Sequence, residues 1–120
     1  MRYYSEDHLW VDVDGNQAVA GLTAYAMDEI GEVNFVELPE VGRTMAKGDL
    51  LAVIESNKAA ADVLSPVSGT VVRVNGALSE KPSLVNESPE KDGWICAFTL
   101  EADARPEGLL SEAEYRKFTE

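Results

Sequence analysis

The chain is poor in cysteine, histidine and cations. Its single cysteine, Cys96, excludes a disulfide framework and points to a reducing compartment such as the cytoplasm. Its single histidine, His8, leaves no His/Cys cluster of the kind that holds a transition metal. Ten Lys and Arg stand against 22 Asp and Glu, a net charge of −12. Phosphate backbones need cations, so nucleic acid is not an expected ligand. The acidity reads as a solvated surface, with docking onto basic partners as the sharper alternative. No apolar run approaches the ~18 residues of a membrane span, and the polar opening stretch does not read as a signal peptide. Cys96 lies in the apolar run Trp94-Ile95-Cys96-Ala97-Phe98 and is expected to be a buried core residue.

A chain of 120 residues suits one domain, numbered 1–120 throughout. The pattern is many short strands divided by Gly, Pro, Asn and Asp. Leu9-Trp10-Val11-Asp12-Val13 and Gln17-Ala18-Val19-Ala20-Gly21-Leu22 flank Asp14-Gly15, a hairpin signal. Asp12, Asp14 and Asn16 faintly resemble a calcium loop but lack its glycine and terminal glutamate. Thr23 is placed to cap a short helix over 24–30 that Gly31 ends. Residues 32–38 alternate as a strand, with Val33, Phe35 and Glu37 on one face. Strands at 50–56, 59–64 and 70–75 follow, then a loop-rich stretch at 79–93, a last strand and a C-terminal helix with Ser111 and Glu114 as a capping box. A weak echo between 42–56 and 65–75 suggests two half-sheets related by an approximate twofold. Their packing is expected to bury Val53, Ile54, Val63, Val67, Val72 and Val74.

The most informative stretch is Glu55-Ser56-Asn57-Lys58-Ala59-Ala60-Ala61-Asp62. Apolar strands on both sides make it a hairpin tip that holds Lys58 outward. Asn57 tolerates the positive φ that a two-residue turn calls for, and the alanines leave the base of the lysine stem unobstructed. Acylating the ε-amine would remove a charge and lengthen a flexible stem. Glu55 and Asp62 flank the tip where a modifying enzyme would read it. The plain alternative is a solvent-facing turn lysine.

The tip resembles the attachment site of lipoyl domains. Biotinyl domains usually set their lysine between methionines, whereas Asn57 and Ala59 stand here. Further stretches extend the likeness: Tyr4-Ser5-Glu6-Asp7-His8-Leu9-Trp10-Val11, residues 31–42, Ser65-Pro66-Val67-Ser68-Gly69, and Leu84-Val85-Asn86-Glu87-Ser88-Pro89 through Trp94. Together they resemble the glycine cleavage H-protein family over nearly the whole chain. That resemblance implies a mainly β, lipoyl-domain-like barrel-sandwich hybrid with a short internal helix and a C-terminal helix. It implies a non-catalytic carrier with lipoate on Lys58, attached by a lipoate ligase or lipoyl-attaching enzymes. Glu55, Asn57, Ala59 and Asp62 would serve modifying-enzyme recognition or arm contact, and His8, Leu9 and Glu29 would line a cleft for the arm.

Four departures from the family pattern bear on the cargo. The family has Glu where Leu9 stands, an acidic residue where Ala24 follows Thr23, and Val in place of Asn57. Its Pro-Tyr-Gly-Asp-like loop is Pro89-Glu90-Lys91-Asp92 here. A carboxylate in the cleft would steady a cationic aminomethyl group, and Leu9 cannot, although Asp62 and Glu29 could compensate. The expectation is therefore a lipoate-binding protein of sulfur oxidation, carrying sulfur for a heterodisulfide-reductase-like complex. The alternatives are a carrier between glycine decarboxylase, aminomethyltransferase and dihydrolipoamide dehydrogenase, and an unmodified scaffolding module.

Overall fold

The computed structural model describes residues 2–100 and 108–119. Nine strands and four short helices follow one another along these residues. Strands β1 (Arg2–Tyr4), β2 (Leu9–Asp14) and β3 (Gln17–Leu22) lead into helix α1 (Ala24–Ile30). Next come β4 (Val33–Glu37), β5 (Thr44–Met45), β6 (Leu50–Ser56), β7 (Ala60–Leu64) and β8 (Gly69–Val74). Two one-turn helices, α2 (Ala77–Glu80) and α3 (Leu84–Glu87), precede β9 (Cys96–Leu100) and the last helix, α4 (Glu112–Phe118).

The strands form two antiparallel sheets, a six-stranded one ordered β1-β2-β3-β9-β8-β5 and a three-stranded one ordered β4-β6-β7. A single buried cluster draws on both sheets, with Leu9, Val11, Leu22, Val36, Ile54, Val63, Val71 and Phe98 among its members. This is the mainly β, barrel-sandwich architecture expected. The β2–β3 hairpin closes with Asp14 opposite Gln17 and Gly15 at φ 62°, a conformation that favours glycine. The Thr23 hydroxyl accepts from the Ala26 N–H at 3.2 Å, and Gly31 ends α1 at φ 85°. Ser111 and Glu114 form the reciprocal capping box at α4.

Several expectations need correction. In β4, Phe35 is 50% exposed while Val33 and Val36 are buried. A register shift between Val33 and Phe35 in the pairing with β6 breaks the alternation, so the inner face passes from Val33 to Val36. A second shift between Val71 and Arg73 turns Val72 outward, to 43% exposure. Ile54, Val63 and Val67 are buried, but Val53 and Val74 are only half-buried. The half-sheets are unequal, since β5 and β8 join the larger sheet whereas β6 joins the smaller. Two one-turn helices occupy part of the loop-rich 79–93 stretch and bury Leu78 and Val85.

Cys96 is completely buried, and desolvation pushes its thiol up to about 12. Asp12 is engaged by Arg2 at 2.7 and 3.0 Å instead of belonging to a calcium loop.

Candidate functional site: a lysine tip beside an acidic cleft

Lys58 sits in the turn between β6 and β7, and residues 57–60 are all exposed. The turn is built by Ser56. Its Oγ accepts the N–H groups of Lys58 and Ala59, each at 3.2 Å, and donates to the Ala59 carbonyl at 3.1 Å. The Ser56 N–H donates to the same carbonyl at 2.9 Å. Such local side-chain bonds replace a backbone turn closure. Asn57 therefore does not adopt the positive φ expected of it; His8 is the one described non-glycine residue in that region, at φ 67°. Asn57 instead ties the tip to the start of β4. Its N–H donates to the Glu32 carbonyl at 3.3 Å, and its Oδ1 accepts from Asn34 Nδ2 at 2.6 Å.

The floor beneath the tip is clamped from below. Asn86 Nδ2 donates to the Gly31 carbonyl at 2.8 Å, and Asn86 Oδ1 accepts the Val33 N–H at 2.8 Å. The amide thus mimics a strand partner at the exit of α1. The Lys58 stem lies over this floor, because a Cβ placed on Gly31 would stand 3.4 Å from Lys58 Cε and 3.6 Å from Cδ. Among the described residues no ion pair engages Lys58. An exposed amine on a braced turn fits an acyl attachment point.

Beside the tip lies a cleft of about 160 Å³ lined by Asp7, His8, Leu9, Leu22, Ala26, Glu29, Ile30, Ala61, Asp62 and Val63. It lies along β7, an edge strand of the smaller sheet. Four residues singled out in the sequence, His8, Leu9, Glu29 and Asp62, come together here from β2, α1 and β7 and the turn before β2. Glu55 is not among the lining residues; it faces solvent opposite Ala60 on one side and Phe35 on the other. Ala59 stays in the turn. Sequence reasoning missed Asp7, a third carboxylate of the cleft, and the support given by Gly31 and Asn86. Asn86 is far from the tip in sequence, and only its place in a motif could have marked it.

His8 is held by a chain of hydroxyls. Its Nδ1 lies 2.9 Å from Tyr115 Oη, which lies 2.9 Å from Thr23 Oγ1. Burial raises the Tyr115 phenol, keeping it protonated and able to donate. Tyr25 tilts against the His8 ring at 4.5 Å, and Tyr4 stacks on Tyr115 at 4.6 Å, anchoring α4 against β1.

Leu9 lines the cleft, and at 1% exposed and packed in the main core it forms part of the cleft floor. Ala24 also has a counterpart. Glu90 Oε2 accepts the Ala24 N–H at 3.0 Å, so a carboxylate reaches the start of α1 from the 88–92 loop. Glu90 also meets Arg2 Nη1 at 3.4 Å through Oε1.

Known proteins share this architecture and sequence. The family model described as Glycine cleavage H-protein matches residues 2–120. A glycine cleavage system H protein 1 from Caldanaerobacter subterraneus subsp. tengcongensis is 50% identical over 118 residues, spanning 98% of this chain and 94% of its own. A glycine cleavage system H protein from Thermotoga maritima is 42% identical over 118 residues, spanning 98% and 95%. The crystal structure of a glycine cleavage system H protein from Mycobacterium marinum superposes with a TM-score of 0.89 at 31% identity, covering 98% of this chain and 95% of the other. With the family model, the relatives and the fold in agreement, the chain belongs to the glycine cleavage H-protein family, whose members are non-catalytic carriers that bear lipoate on a lysine.

Proposed function

We propose that Lys58 carries the lipoate and that the protein serves glycine cleavage, moving an aminomethyl group from glycine decarboxylase to aminomethyltransferase, with dihydrolipoamide dehydrogenase restoring the disulfide. The carrying observation is the placement of Lys58 at an exposed, braced tip next to a cleft with three carboxylates. Bound lipoate supplies a dithiolane whose disulfide opens to accept a group on sulfur. The chain's own residues do the rest. Asp7, Glu29 and Asp62 give a cationic amine an electrostatic well, while Leu9, Leu22 and Val63 give the arm an apolar bed. A charge-assisted hydrogen bond from one of these carboxylates is worth roughly 1.5–3 kcal/mol where water is excluded.

The expectation of sulfur cargo rested on Leu9, Ala24 and Asn57, and each now has a local account. Leu9 fills the core. At Ala24 a carboxylate still reaches the start of the helix, from Glu90. Asn57 binds Asn34. Relatives between 42% and 50% identical, all named H proteins of glycine cleavage, favour the aminomethyl reading over a heterodisulfide-reductase-like partner. The cytoplasm or an equivalent reducing compartment suits a dithiol carrier.

The test is reconstitution. Lipoylated protein is mixed with glycine decarboxylase, and exchange of the glycine carboxyl with labelled bicarbonate is followed. Exchange that saturates with the lipoylated wild type and vanishes in Lys58→Arg supports the reading. Absence of exchange, with electron transfer to a heterodisulfide-reductase-like complex, would return the protein to sulfur oxidation.

A further inference from the structure

We propose that Gly31 is a positioning residue for the arm, its missing side chain leaving a notch that leads the Lys58 stem from the hairpin tip to the mouth of the cleft. This rests on the reading of Lys58 as the lipoyl site.

Three atoms at the end of the lysine lie near the position a Gly31 Cβ would take: Cε at 3.4 Å, Cδ at 3.6 Å and Nζ at 3.8 Å. The end of the stem therefore lies against the glycine while Lys58 keeps its exposure to solvent. The preceding residue, Ile30, lines the cleft, and Ala61 and Asp62 line it from the returning strand. The notch thus lies one residue along the chain from the cleft wall at Ile30. It is also rigid. Asn86 holds the Gly31 carbonyl and the Val33 N–H, each at 2.8 Å, and the Gly31 N–H donates to the Met27 carbonyl at 2.9 Å. A side chain placed there could not be relieved by a shift of this backbone without breaking those bonds.

Two substitutions separate bulk from backbone strain. Any L-residue at φ 85° is strained, so Gly31→Ala carries the strain and adds a methyl only at ordinary contact distance from the stem. Gly31→Asn carries similar strain and adds a side-chain amide beyond Cβ, in the path of the stem. Each protein is loaded with lipoate by a lipoate ligase, and intact mass establishes loading first. The reduction rate of the lipoyl disulfide by tris(2-carboxyethyl)phosphine then reports shelter of the arm. In that reaction the ring disulfide takes two electrons and two protons to become a dithiol, and the phosphine takes oxygen from water to become its oxide.

The expected result is a rate in Gly31→Ala within about twofold of wild type and a rate in Gly31→Asn at least about fivefold faster, as the sheltered population is lost. Folded Gly31→Asn reduced at the wild-type rate would overturn the proposal. Independent of any variant's folding, lipoylated wild type should show NOEs between the Gly31 α-protons and the Lys58 ε-methylene. Their absence would overturn it too. Failure of the wild type to take up lipoate would instead bring down the reading of Lys58 itself, and the mass measurement makes the two failures distinguishable.

Discussion

The main-chain N–H of Ala24 donates to Glu90 Oε2 at 3.0 Å, joining the first turn of α1 to a loop 66 residues further along the chain. Helix starts favour negative charge because their first N–H groups lack intrahelical acceptors. Here that charge comes from the 88–92 loop. Glu90→Ala should lower stability by about 1 kcal/mol through the lost acceptor. Ala24→Asp in the Glu90→Ala background should recover about half of it, since the new carboxylate sits in the same turn. Urea unfolding of the four proteins of this cycle measures both. Equal losses with and without Ala24→Asp would mean that Glu90 acts elsewhere.

How much of this was legible beforehand follows physical range. The Thr23 cap, the Gly31 stop, the Asp14-Gly15 hairpin and the Ser111–Glu114 box depend on neighbours within a few residues, and all are as the sequence indicates. The lysine tip was legible for the same reason. The inner face of β4 was not, because the bulge between Val33 and Phe35 is set by pairing with a strand about 20 residues away. Nor was the Asn86 clamp or the reach of Glu90, where each partner looks ordinary until the fold joins them. Asn57 had a sound turn propensity that went unused, because the Ser56 hydroxyl closed the turn first.

Arg2 holds the Asp12 carboxyl below its ordinary range, chiefly by direct hydrogen bonds at 2.7 and 3.0 Å, against a smaller opposing effect of burial. A carboxyl lowered in the folded state adds stability that is complete above its unfolded value and is lost as pH falls through the folded one. Half-exposed partners limit the gain to about 1 kcal/mol or less. Asp12→Asn should therefore be less stable than wild type at pH 7, and the gap should close below about pH 4. Urea midpoints across pH 3 to 7 check this, and a gap constant with pH would contradict it.

With its thiol pushed up to about 12 and no exposed surface, Cys96 should not compete with the sulfurs of a reduced arm. Unmodified native protein at pH 8 should react with Ellman's reagent only as fast as it unfolds, then titrate as one thiol in denaturant. Prompt reaction of the native protein would place Cys96 in an open environment.

The acidic cleft makes its own demand. Asp62→Asn and Glu29→Gln in lipoylated protein should each shorten the lifetime of the aminomethyl-loaded state, by about fivefold for a charge-assisted bond of about 1 kcal/mol in this partly open cleft. Loss of bound carbon-14 from protein loaded with labelled glycine follows it. Lifetimes unchanged in both single variants and in their combination would remove the carboxylates from any role in holding the cargo.

Attachment at Lys58 is the claim on which the rest depends. The protein, expressed without lipoate, is incubated with lipoate ligase, ATP and lipoate, and its intact mass is compared with that of Lys58→Arg. A gain of one lipoyl group, mapped by fragmentation to Lys58 and missing from Lys58→Arg, is the predicted result. An unchanged wild-type mass under conditions that fully modify a known lipoyl domain, or a lipoyl group mapped to another lysine, would contradict it.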